Sequence, residues 1–227
     1  MRTTRLITVC ICLYLILGNL NAQESGTIFS KKTYFSFGAG YGYINPEDIN
    51  STLDTYVEDN GITFTKGNSN INLVLILESH LSHFINENVE IKGGFEFGMG
   101  YKEIKYGVFG SSTFNTLIRL SPQLMANYHH MLKNELSDVY VGGGLNYNKL
   151  ILDAFNGDIS GKGSALGLSF QLGFSMKTAR KAISYIEIQG NIIKGDNDET
   201  NTSWGWGSVY VKELSFSGIA IKFGIKF

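Results

Sequence analysis

The chain is short of cysteine, proline and charge. Of 227 residues, 2 are Cys and 2 are Pro, and 17% are charged. Two cysteines, Cys10 and Cys12, cannot build a disulfide scaffold. A net charge of −1 with no long run of Lys or Arg excludes an electrostatic nucleic-acid surface. Beyond residue 23 no apolar stretch reaches the ~18 residues of a membrane helix. What is abundant is Gly, at 27 residues, and aromatic residues, at 13%. That aromatic content, with so little charge, excludes a disordered chain.

Met1 to Ala22 reads as a cleaved secretory signal peptide. Arg2 and Arg5 charge its start, Leu6 to Leu17 is apolar, and Leu20-Asn21-Ala22 offers a cleavage site before Gln23. Twelve apolar residues cover roughly 18 Å as a helix, short of a ~30 Å hydrocarbon core. Both cysteines fall within this segment. Residues 23–227 are then expected to form one exported domain without disulfides.

Within that domain, period-two alternation recurs in segments of about ten residues, the signature of half-buried strands. Val89 to Lys102 sets Val89, Ile91, Phe95, Phe97, Met99 and Tyr101 on one face and every charge on the other. Comparable segments are Tyr34 to Tyr43, Ile71 to Ser82, Phe114 to His129, Val139 to Asn148, Ala165 to Lys177 and Ser184 to Ile193. An eighth ends at Phe227. Eight strands suggest a closed antiparallel barrel, and the orientation of the faces follows from the non-apolar one. It is rich in Gly and Ser, which suit a narrow lumen better than a solvated surface. The bulky face is therefore expected to meet lipid. A soluble, exported lipocalin-like binder, apolar inside, is the opposite arrangement.

The connections segregate by length. Outer loops are expected at 44–70, 103–113, 149–163 and 194–208, and shorter inner turns at 83–88, 130–138 and 178–183, as in outer-membrane barrels. Tyr41, Tyr43, Tyr101, Tyr147, Trp204, Trp206 and Tyr210 would form an outer aromatic girdle, and Phe35, Phe84, Tyr128 and Phe227 an inner one. Asn45-Pro46 could open a short helix to about Glu58, with Ile49, Leu53, Tyr56 and Val57 at helical spacing, either capping the mouth or folding as a loop.

The Gly-aromatic strands Phe35-Ser36-Phe37-Gly38-Ala39-Gly40-Tyr41 and Tyr140-Val141-Gly142-Gly143-Gly144-Leu145-Asn146-Tyr147 resemble those of the small eight-stranded outer-membrane barrels of Gram-negative bacteria. These are the OmpA transmembrane-domain, OmpX and OmpW-like group. The terminal Phe227, with apolar residues at alternate positions before it, is similar to that group's signal for the barrel-assembly machinery. The resemblance implies an all-β, up-and-down transmembrane barrel in the outer membrane, exported by the Sec pathway. It implies contacts with outer-membrane lipid and lipopolysaccharide, and with an extracellular partner through loops 44–70, 149–163 and 194–208. It implies a structural or surface-interaction role without enzymatic activity; the alternative is an OmpW-like facilitator of small or hydrophobic solutes.

Glu78, Glu90, Lys92, Glu96, Arg119, Glu187 and Lys222 are expected on the lumen face, where opposite charges should pair. A closed ion-pair plug and a narrow conducting path are the two readings. His80 and Ser82 are similar to the H-x-S pair of barrel-embedded lipid A deacylases, but sit near the inner end with no acid assigned. His80, His83, His129 and His130 gather near the inner rim, yet adjacent His129 and His130 face opposite ways. Asp196-Asn197-Asp198-Glu199 lacks the spacing of a calcium loop and is read as solvated loop. No catalytic, cofactor-binding or metal-ligating residue and no cofactor is assigned, and a bulge is expected near Glu213 to Phe216.

Overall fold

The computed structural model describes residues 32–66, 70–106, 111–133, 136–155, 159–179, 182–194, 197–201 and 216–227. Eight long strands carry the fold: β1 (Thr33–Asn45), β2 (Leu73–Phe84), β3 (Val89–Tyr106), β4 (Ser111–Met131), β5 (Ser137–Ala154), β6 (Ile159–Ala179), β7 (Ala182–Lys194) and β8 (Phe216–Lys226). Each pairs antiparallel with its sequence neighbours, and β8 returns to pair with β1 from Ser36↔Lys226 to Asn45↔Ser217. The sheet thus closes on itself and leaves no open edge among these strands. It is the up-and-down barrel that the alternation implied. The start of β1 and the residue after β8 meet at one rim, where the Phe35 and Phe227 backbones donate to each other's carbonyls. That rim, opposite α1 and the long first connection, is the inner end.

The faces point as expected. Phe37, Phe95, Leu81, Leu145, Leu166, Phe170, Leu172 and Ile219 stand exposed on the exterior, whereas Glu78, Glu90, Lys92, Glu96, Arg119, Glu187 and Lys222 are all buried in the lumen. An exterior band this apolar fits hydrocarbon, not water. It excludes the lipocalin-like arrangement.

The connections depart from the expected lengths. The β3–β4 ladder runs on to Tyr106↔Ser111 and the β5–β6 ladder to Ala154↔Ile159, so the expected loops 103–113 and 149–163 are largely strand. Asn197–Asn201, read as solvated loop, forms a short strand on the outer end of β6. A strand needs ~9–11 residues to span a bilayer, and β4 and β6 have 21 each. Their outer ends therefore stand beyond the membrane, where the exterior face turns polar while the inward face stays buried at Thr113, Asn115, Leu117 and Ala165, so the apolar-out, polar-in alternation of a membrane strand fades. The length asymmetry survives as projecting ladder instead of loop.

Helix α1 (Glu47–Asp59) occupies the first connection, followed by a three-residue strand, Phe64–Lys66, on β3. Pro46 precedes the first helical residue, and the Asn50 amide donates to its carbonyl. At the other end Gly61 takes a positive φ of 60°, and the amides of Gly61 and Ile62 close onto Glu58 and Val57. That is a glycine-terminated Schellman stop. The signal-peptide segment, Trp204, Trp206, Tyr210 and most of the expected bulge lie outside the described residues.

Candidate functional site: a layered plug in the lumen

Three layers fill the barrel from rim to rim. At the inner end Tyr34, Phe84 and Ile183 are buried together, with Met131 packed on them. Phe84 was expected in the lipid-facing girdle; its even register in β2 turns it inward, edge-on to Tyr34 at 5.9 Å. The exterior positions Phe35, Tyr128 and Phe227 do stand outward, as do Tyr41, Tyr43, Tyr101 and Tyr147 at the outer level.

The middle layer is charged. Lys222 of β8 lies at its centre, with Nζ 2.6 Å from Glu78 Oε2, 2.8 Å from Glu187 Oε1 and 3.4 Å from Glu96 Oε2. Lys92 meets Glu187 Oε2 at 3.0 Å and donates to Gln171 at 3.1 Å. Arg119 pairs with Glu96. Two tyrosines complete the layer: Tyr185 donates to Glu78 Oε1 at 2.7 Å and Tyr140 to Glu187 Oε2 at 2.9 Å. Below it, Lys226 pairs with Glu90 at 2.7 Å, and Asn127 donates to Glu90 at 2.6 Å. His129 is held between Glu90, 3.1 Å from Nε2, and Asp138 at Nδ1. Charges taken out of water demand such partners, and all seven lumen charges read from the sequence find them.

His129, Asp138, Tyr140 and Tyr185 were not read as parts of the charged layer, and Lys226, although on the polar face of the last segment, was not named with its charges. Lys226 shares the even register of Lys222, and Tyr185 the odd register of Glu187, so strand parity was the available signal. A tyrosine on a lumen face reads as apolar in a pattern that scores hydrophobicity, although its hydroxyl serves the charged layer.

The outer layer corrects the expectation of a small, polar lumen. Val74, Ile76, Ile104, Leu117, Leu150, Leu152, Ala165, Ile193 and Ala220 point inward and pack with Ile49 and Leu53 of α1. Tyr56, Val57 and Ile62 close over them. The four helical positions at apolar spacing are therefore the inner face of a stopper. Asn50 fastens it, donating to Asn72 and accepting from the Ile71 amide, both at 3.1 Å. Phe155 reaches under the helix in the left-handed region, φ 53°, with its ring 4.8 Å from Tyr56 and its amide on Asn115. A bulky residue holds that conformation only where its surroundings dictate it.

The histidines do not assemble. His80 and His129 face the lumen, while His83 and His130 are exposed outside. His80 Nε2 is hydrogen-bonded to Gln123 at 2.7 Å, whereas its Nδ1 and the Ser82 hydroxyl have no hydrogen-bond partner among the described residues. The H-x-S pair thus shares a face without a bond between base and hydroxyl. Among the described residues no three His, Cys, Asp or Glu side chains converge on a metal position. The wall is also unbroken at Gly143, which pairs with Ala126 and Phe170.

No family model and no curated protein sequence matches the chain. Among solved structures, Neisserial surface protein A is similar, with a TM-score of 0.54 at 13% identity, over 89% of this chain and 98% of that one. Outer membrane protein OprG from Pseudomonas aeruginosa gives 0.49 at 15% identity, over 89% and 99%. The architecture is that of the small eight-stranded outer-membrane β-barrels.

Proposed function

We propose that this protein is a sealed, non-enzymatic barrel of the outer membrane, with a structural or surface-interaction role. One observation carries the reading: the lumen is occupied from rim to rim by side chains, charged in the middle and apolar at both ends. An ion that entered would have to displace α1 and then break the Lys222 cluster. The working surface is then the outer end, made of α1, the projecting ladders and the connections that join them. Export by the Sec pathway, insertion by the barrel-assembly machinery, and contact with lipopolysaccharide and an extracellular partner belong to the same reading.

The apolar outer layer supports a second reading, a facilitator of small hydrophobic solutes. It requires α1 to swing out and a route past the charged layer. Planar-bilayer recording on the refolded protein separates the two, together with uptake of a hydrophobic dye by vesicles carrying it. The sealed barrel adds no conductance and no dye flux to the bare bilayer. Discrete conductance steps, or dye uptake abolished by cross-linking α1 to the rim, would overturn it in favour of the facilitator.

A further inference from the structure

Like β1, which reaches β2 only across residues 46–72, β8 has no short connection on either side. Five neighbouring pairs, from β2–β3 to β6–β7, are hairpins with connections of a few residues, and turn length fixes their register. β8 is reached from β7 only through residues 195–215, and it meets β1 from the far end of the chain. Its register must come from side chains.

Most of those side chains cannot set it. A slip of one residue would turn the lipid-facing set inward, but a slip of two keeps every face. On the exterior, Phe35, Phe37, Ala39, Tyr41 and Tyr43 of β1 oppose Phe227, Ile225, Phe223, Ile221 and Ile219 of β8. Apolar meets apolar at each step, so the neighbouring registers are equivalent. On the interior, Gly38, Gly40 and Gly42 give β1 three successive notches. In the observed register Gly40 faces Lys222, and a Cβ on Gly40 would lie 2.8 Å from both Lys222 Cα and Cγ. The notch lets the lysine stem cross, but Gly38 or Gly42 would offer it the same room.

Two things differ between the registers: the seat of Tyr185 against Gly224, where a Cβ would overlap the tyrosine ring, and charge. We propose that Lys222 is the register-reading residue of barrel closure, seating β8 where its ammonium enters the cage of Glu78, Glu187 and Glu96. The cage draws on three strands: Glu78 on β2, Glu96 on β3, and Glu187 on β7 directly opposite Lys222. A two-residue slip moves the ammonium by about 7 Å along the strand. Toward the outer end it would sit beside Val74 and Ile76, and three buried carboxylates would lose their shared cation. Lys226 adds a second check, because only this register brings its Nζ to Glu90.

Disulfide trapping reads the register directly. In a Cys10→Ser, Cys12→Ser chain, Tyr41→Cys with Ile221→Cys reports the observed register, since directly opposed Cα atoms at about 5.5 Å allow a disulfide. Ala39→Cys or Tyr43→Cys, each with Ile221→Cys, reports slips of two in either direction. Folded barrel, isolated by its heat-modifiable migration, is oxidised and each link quantified. With Lys222 present, linking is confined to 41–221. With Lys222→Met, the 39–221 or 43–221 link should rise several-fold, and Lys222→Arg should restore confinement. Exclusive 41–221 linking in folded Lys222→Met would overturn the proposal. Should that chain not fold, Glu78→Gln, which leaves Glu96 and Glu187 in place, is read the same way. Slipped links there support the proposal, and their absence overturns it.

Discussion

Arg119 is a buried guanidinium whose only ion-pair partner among the described residues is Glu96. Removing one member of a buried pair leaves an uncompensated charge, at a cost of about 3–5 kcal/mol, whereas replacing both by apolar groups can be neutral. Glu96→Gln should therefore destabilise the barrel by about that amount, and Arg119→Met added to it should recover most of the loss. Urea unfolding in lipid vesicles measures both, and equal stability of wild type and Glu96→Gln would contradict the pairing. The next residue makes the opposite test. Phe95 is 66% exposed on the exterior, so Phe95→Arg should cost about 2–4 kcal/mol near the bilayer midplane. Full tolerance of Arg at this position in the same titration would place that face in water. Glu96 and Phe95 were assigned to opposite faces by alternation alone, because every charge of β3 up to Lys102 shares one parity. Tyr185 and Phe84 were not legible in that way. An aromatic ring fits either face of a sheet, and only the neighbours supplied by closure decide.

Among the elements, β2 carried a signal that alternation hides. Leu73, Leu75 and Leu77 face outward and Val74 and Ile76 inward, so its outer half is apolar on both faces. A strand that meets lipid on one side can be apolar on the other only where something apolar fills the lumen. That something is α1, whose Ile49, Leu53, Tyr56 and Val57 were visible at helical spacing but had no partner until the barrel supplied one. Leu53 is fully buried at the centre of the stopper, and truncating such a leucine costs about 2–5 kcal/mol. Leu53→Asp should therefore free α1 without opening the ladder, because the β-strands keep their own hydrogen bonds. Limited proteolysis between residues 47 and 62 should become rapid while heat-modifiable migration persists. Unchanged protection in Leu53→Asp would mean that the helix is held by something other than its apolar face.

For the whole molecule, closure and polarity follow from strand number and face composition, and both were readable. The lengths of the outer connections were not, since the ladders continue past the membrane into segments whose alternation has faded. Topology can be tested with an epitope tag. Inserted after the exposed Gly61 it should be reached by antibody on intact cells, and inserted after Asn86, in the β2–β3 turn, only after the outer membrane is permeabilised. The reverse pattern would invert the barrel. The central claim is a barrel turned inside out: lipid around it, and a lumen dry at the outer end beneath α1. Leucine methyl groups report on both surfaces at once, with no substitution needed. In isotope-labelled protein in lipid bicelles, magnetisation transfer from acyl-chain protons should reach the methyls of exterior Leu77, Leu81, Leu166, Leu168 and Leu172. Leu53, Leu117, Leu150 and Leu152, packed in the outer plug, should receive none from lipid and none from water. Lipid transfer to the plug leucines, or water transfer to the exterior set, would contradict the account.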